Sequence, residues 1–171
     1  MIDEQILGYL KKLRLSSHIA QICDSIEANT HQEFLLKLLQ AEHKRRETAK
    51  NDRLIKLAGF YTLKAFEAFR FDEVTLPEGI SPQYLKDLKF LETATNIVMY
   101  GNVGSGKTHL SIALGLLACK KGINTKFFRT SALVNRLAEA KKAGELSRFL
   151  SQLSKVELLV CDEWDMFPLT G

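Results

Sequence analysis

The stretch Asn96-Ile-Val-Met-Tyr-Gly-Asn-Val-Gly-Ser-Gly-Lys-Thr-His-Leu110 constrains this chain more than any other. A short apolar run, Ile97, Val98, Met99 and Tyr100, predicts a buried strand. It leads into Gly101, Asn102, Val103, Gly104, Ser105, Gly106, Lys107 and Thr108, and a long apolar run follows at once. Strand, glycine loop and helix in that order have the spacing of a phosphate-binding loop, the Walker A pattern. A triphosphate needs several backbone N–H groups aimed at one anion, so the chain must come close and turn sharply. Gly101, Gly104 and Gly106 have no Cβ to prevent that. The following helix adds unpaired N–H groups and the positive end of its dipole. Lys107 can reach the β- and γ-phosphates of ATP, and the Thr108 hydroxyl can ligate Mg²⁺.

Downstream, Leu110 to Ala118 is apolar almost all round, as expected of a helix packed on a sheet, and Lys120, Lys121 and Gly122 end it. Thr125 to Thr130 reads as a second strand. Ser131 is expected to cap a helix to about Ala143, and Leu146, Phe149, Leu150 and Leu153 mark another. Val156 to Cys161 reads as a third strand that delivers Asp162 and Glu163 at its carboxyl end. That is the Walker B arrangement. Asp162 would hold Mg²⁺, through water, and Glu163 would orient and polarise the attacking water. Strands alternating with helices imply parallel pairing with right-handed crossovers, and ligands of such sheets collect where the strands end.

Upstream the pattern changes. Met1 to about Phe71 has little Gly or Pro and reads as helices, with apolar stripes at Ile6, Leu7, Leu10 and Leu13 and at Phe34, Leu35, Leu38 and Leu39. Between Glu42 and Lys56 basic residues outnumber acidic ones, on what reads as one long helix. Two readings of Lys44, Arg45, Arg46, Lys50, Arg53 and Lys56 stand side by side: a solvated helix face, or a surface that follows a nucleic-acid backbone. Phe60, Tyr61, Phe66, Phe69 and Phe71 read as core residues rather than a stacking platform for bases. Leu76 to Pro82 is rich in turn residues and marks a boundary, so residues 1–75 are expected to form a helical domain and 76–171 an α/β domain. Ser81 and Pro82 have the pattern of a helix cap and first residue, before a short helix with Leu85, Leu88 and Leu91.

At 171 residues there is room for one sizeable domain, or a small one with part of another. No apolar run reaches membrane-spanning length. Cys23, Cys119 and Cys161 are far apart and in no metal-binding spacing, which fits reduced thiols in the cytoplasm. The histidines are scattered, His109 reading as a polar residue at a helix start, and Trp164 reads as a packing residue. A net charge of +4 tolerates a nucleic-acid partner without requiring one.

The run from Gly101 to Leu110, continued by Ser-Ile-Ala-Leu-Gly115, resembles the AAA+ ATPases of the IstB/DnaC-like group. These are transposition helpers of insertion sequences and bacterial helicase loaders. Leu10-Lys-Lys-Leu-Arg-Leu15, Phe34 to Leu39 with Glu42 and Arg46, Leu57-Ala-Gly-Phe60, and Phe71-Asp72 resemble the helpers' segments ahead of the ATPase. Asp162 to Leu169 resembles their Walker B stretch. The resemblance implies a helical N-terminal domain followed by part of a P-loop NTPase sheet with flanking helices, using ATP and Mg²⁺. It also implies DNA and a transposase as partners (alternatively a replicative helicase), and homo-oligomers in the full-length family. A non-catalytic adaptor is the third reading. The family usually has Gly and Tyr at Asp165 and Met166, and Pro at Tyr61. Its fourth strand, sensor residue and arginine finger have no counterpart before Gly171. The resemblance therefore implies an interrupted copy, and steady ATP turnover is not expected of it.

Overall fold

The computed structural model describes residues 2–72 and 74–164. Its backbone contacts divide the chain into two compact units, Met1–Lys50 and Asn51–Gly171.

The first unit contains α1 (Ile2–Lys12), α2 (His18–Ile22) and most of α3, which runs from His31 to Ala58. A reciprocal cap starts α3. The Thr30 hydroxyl accepts from the Glu33 N–H at 3.1 Å, and the Glu33 carboxylate accepts from the Asn29 N–H at 2.8 Å. Two of the otherwise unpaired donors at the helix start are thereby satisfied. Leu10 and Ile19 are buried, and so is the carboxylate of Glu42. Glu42 accepts from Arg45 Nε at 3.1 Å, Arg46 Nε at 2.7 Å and the Ser16 N–H at 3.3 Å. Arg46 also donates to the Arg14 carbonyl at 2.6 Å, so one buried acid ties α3 to the α1–α2 turn.

The second unit is built on α6 (Lys107–Lys120), with Ile112, Ala113, Leu114, Ala118 and Cys119 on almost every side buried. Burying side chains the size of Ile112 and Leu114 contributes about 1.5–3 kcal/mol each, which is how a helix with so little amphipathic character finds its place. Phe66, Leu85, Leu88 and Phe90 close one side of this core. Beside it lie β1 (Thr125–Arg129) and β2 (Leu158–Asp162), parallel, in a register that pairs Arg129 with Asp162. The crossover between them is α7 (Thr130–Lys142) and α8 (Leu146–Leu153). The architecture is a mixed α/β fold with a parallel sheet, consistent with part of a P-loop NTPase.

Three local expectations need correction. Ile97 to Tyr100 is not a strand: Val98 is 83% and Tyr100 93% exposed, and among the described residues only β1 and β2 form a ladder. An apolar run becomes a strand when a neighbour offers donors and acceptors, and here none lies alongside; Met99 alone packs on the core. Ser131 does not cap α7, which starts one residue earlier, and the Thr130 hydroxyl is turned to the Asp162 carbonyl at 2.8 Å. The leucine helix is two pieces, α4 (Pro82–Asp87) and α5 (Lys89–Glu92), because Leu88 takes a left-handed backbone at φ +61°. The expected cap does form, with Ser81 Oγ accepting from the Tyr84 N–H at 3.1 Å.

Candidate nucleotide site

Gly101, Gly104 and Gly106 all have positive φ, at +146°, +84° and +86°. At Gly106 a second demand coincides, since a Cβ there would meet the Phe69 ring at 2.9 Å. Gly106 is also the N-cap of α6 and offers no side chain to its first N–H groups, which leaves those donors for a ligand. Lys107 Nζ donates to the carbonyls of Gly101 at 2.7 Å and Asn102 at 2.9 Å, and the Ser105 N–H donates to Asn102 at 3.2 Å. The loop is thus held as a closed turn with a cation over it. Val103, at its tip, is fully exposed.

The two motifs meet. The Thr108 hydroxyl lies 2.9 and 3.1 Å from the two carboxylate oxygens of Asp162, which is buried at the end of β2. Asp162 is held from behind by the Thr130 hydroxyl on its carbonyl. A hydroxyl and a carboxylate converging beside a glycine loop are hard oxygen donors of the kind Mg²⁺ takes, together with phosphate oxygens. Among the described residues no cluster of three or more His, Cys, Asp or Glu side chains has metal-binding geometry. A phosphate-bound Mg²⁺ needs none, because it keeps most of its ligands from nucleotide and water.

Glu163 follows with φ +60°, a left-handed backbone that side chains rarely adopt. Its carboxylate is 3.8 Å from Arg129 Nε, and the Arg129 guanidinium lies 4.7 Å from the centre of the Tyr61 ring. His109 does more than start a helix. Its Nε2 donates to the Ala65 carbonyl at 3.1 Å, and its ring packs edge-on against Phe69 at 5.4 Å. Phe69, Arg70, Asp72, Val74 and His109 line a cavity of about 280 Å³ that opens against Gly104 to Gly106. A larger cavity, of about 420 Å³ between α7 and α8, includes no residue of the loop or of the acid pair. The smaller one adjoins the glycine loop. Trp164 is 68% exposed and is not a packing residue. Residues 165–169 of the Walker B stretch lie outside the described residues.

Lys44, Arg45, Arg46, Lys50, Arg53 and Lys56 are all exposed along α3. Helical spacing brings Arg46, Lys50 and Arg53 to one side and puts Lys44 on the other. Arg45 and Arg46 are already engaged by Glu42. The cap at Thr30 and Glu33 could have been found from its spacing; the contacts of Thr130, Arg129 and Tyr61 had no local signal.

The sequence pattern of the family described as IstB-like ATP binding protein matches residues 9–171. The chain belongs to that family. A protein described as an ATP-binding protein of insertion sequence IS21 from Pseudomonas aeruginosa is 32% identical, over 97% of this chain and 63% of its own length. Similar proteins of insertion sequence IS232 from Bacillus thuringiensis subsp. berliner and of IS5376 from Geobacillus stearothermophilus are 32% and 34% identical, over 95% and 98% of this chain. The chain spans 63%, 66% and 69% of the length of these three relatives.

Proposed function

We propose that this IstB-like chain binds ATP with Mg²⁺ and serves as an ATP-dependent helper that contacts DNA and assists a transposase. The observation that carries the nucleotide reading is the meeting of Thr108 with Asp162 beside the glycine loop. In this reading the amides of Gly104 to Thr108 cradle the phosphates, Lys107 exchanges its loop carbonyls for phosphate oxygens, and Asn102, Val103 and Ser105 shape the turn. Thr108 and Asp162 hold Mg²⁺, which supplies charge neutralisation at the phosphates when bound. Glu163 orients the water. The insertion-sequence context of the relatives favours a transposase over a replicative helicase as client. Residues 1–75 carry the partner and DNA contacts, residues 76–171 belong to the ATPase domain, and copies of the full-length form assemble with one another in the cytoplasm. Among the described residues no helix is long and apolar enough to cross a membrane.

Lys107→Ala tests the nucleotide site. A hydrogen bond to a charged group is worth about 1.5–3 kcal/mol, so affinity for ATP should fall roughly ten- to a hundred-fold by calorimetry. Equal affinity in the two proteins would refute the site. Retention of a transposase rather than a helicase from an extract of the host checks the client.

A further inference from the structure

We infer that Phe69 and His109 are positioning residues for the glycine loop. The Phe69 ring, oriented by the His109 imidazole, is the wall against which Gly106 keeps its left-handed backbone and aims the first N–H groups of α6. The inference rests on the reading of that loop as a nucleotide site.

Four observations support it. The ring lies against Gly106 on the side where a side chain would start, since an ideal Cβ would meet its Cε2 at 2.9 Å and its Cζ at 3.6 Å. His109 follows Gly106 by three residues, on the same face of the first turn, and its imidazole meets that ring edge-on at 5.4 Å. The imidazole is fixed in turn by its hydrogen bond to the Ala65 carbonyl at 3.1 Å, in the segment that carries Phe69. Behind Phe69 stands Phe71, edge-on at 4.8 Å, and Phe71 lies 5.6 Å from Phe66, a buried member of the core.

Glycine is the residue that needs such a wall. It takes positive and negative φ about equally readily, so a loop with Gly101, Gly104 and Gly106 loses much freedom when its amides converge on an anion. Fixing the backbone of a single residue beforehand is worth roughly tenfold in affinity. Gly106 is where that matters most. Its carbonyl accepts the Leu110 N–H at 2.9 Å, so its backbone sets the direction of the helix start, and Lys107 and Thr108 follow it directly. A ring wedged between Gly106 and His109 ties this geometry to a core built from residues far away in sequence.

The experiment compares the 171-residue wild type with Phe69→Leu, His109→Leu, His109→Gln and the Phe69→Leu/His109→Leu double variant. Amide hydrogen exchange without nucleotide is read at Ser105 and Leu110, whose N–H groups are bonded to the Asn102 and Gly106 carbonyls. It is also read at Ile123, bonded to the Ala118 carbonyl at the far end of α6. Phe69→Leu and His109→Leu should each speed exchange at Ser105 and Leu110 by roughly tenfold and leave Ile123 unchanged. His109→Gln, which keeps a side-chain N–H for the Ala65 carbonyl, should stay near wild type. The double variant should go no further than Phe69→Leu. By calorimetry Phe69→Leu and His109→Leu should weaken MgATP and magnesium tripolyphosphate alike, by roughly tenfold. Unchanged exchange at Ser105 and Leu110 overturns the inference, as does an acceleration that Ile123 shares, which marks a loss of overall stability. A loss of affinity confined to MgATP overturns it too, because the phosphate groups are then held as before. If wild type binds neither ligand, the nucleotide reading fails, while the exchange data still decide whether Phe69 and His109 fix the loop.

Discussion

At Gly106 two requirements fall on one residue, a φ of +86° and a Phe69 ring too close for any Cβ. Alanine there must adopt the left-handed region, at about 1–2 kcal/mol, and push the ring that also packs on His109. Gly106→Ala should therefore lower the melting temperature and weaken ATP binding together, whereas Lys107→Ala should weaken binding and leave melting without nucleotide nearly unchanged. Thermal melts and calorimetry on the two variants make that comparison. Asp162 and Thr108 show why a motif read singly says little. Each belongs to a common pattern, and their meaning comes from a hydroxyl placed 2.9 Å from a carboxylate oxygen across 54 residues of sequence.

Among the elements, α3 is held by Glu42. Burial alone would raise its pKa, but hydrogen bonds from Arg45, Arg46 and the Ser16 N–H outweigh that and hold the carboxyl below its ordinary value of 4.5. A depressed carboxyl adds stability above its unfolded pKa and loses it as pH falls through the folded one. The Met1–Lys50 unit should thus lose stability in acid below about pH 4.5, and Glu42→Gln should flatten that loss. The same substitution should cost about 1–3 kcal/mol near neutral pH, read from denaturant titrations. The basic face of α3 calls for a different experiment. Because Arg45 and Arg46 serve Glu42, reversing them would confuse folding with binding, and Lys50→Glu/Arg53→Glu is the cleaner variant. If α3 follows a phosphate backbone, wild type binds DNA with a steep inverse dependence on salt. The double variant should reduce the slope of log affinity against log salt by roughly two. An unchanged slope would leave α3 as a solvated face.

On the scale of the whole molecule, a ligand that binds only the folded site stabilises it by about 2.7 kcal/mol at a hundred times its dissociation constant. MgATP should raise the melting transition of the Asn51–Gly171 unit, and Lys107→Ala should lose most of that rise at the same nucleotide concentration. If the Met1–Lys50 unit melts in a transition of its own, that transition should not respond. Differential scanning calorimetry reads both. Much of this organisation was legible from spacing alone. The glycine loop, the apolar α6, the Ser81–Pro82 helix start and β1 are encoded within a turn or two of chain, where residue type acts on the backbone directly. The apolar run Ile97 to Tyr100 read as a strand by the same rule and is not one, because pairing depends on a neighbour that a local pattern cannot supply. The burial of Glu42, the convergence of Thr108 on Asp162, and the chain of contacts from Tyr61 through Arg129 to Glu163 were decided by tertiary structure. By itself the sequence determined which groups could meet a triphosphate; only the packing of β1 and β2 against α6 decided which of them stand together, since distance between side chains far apart in sequence is set by the fold.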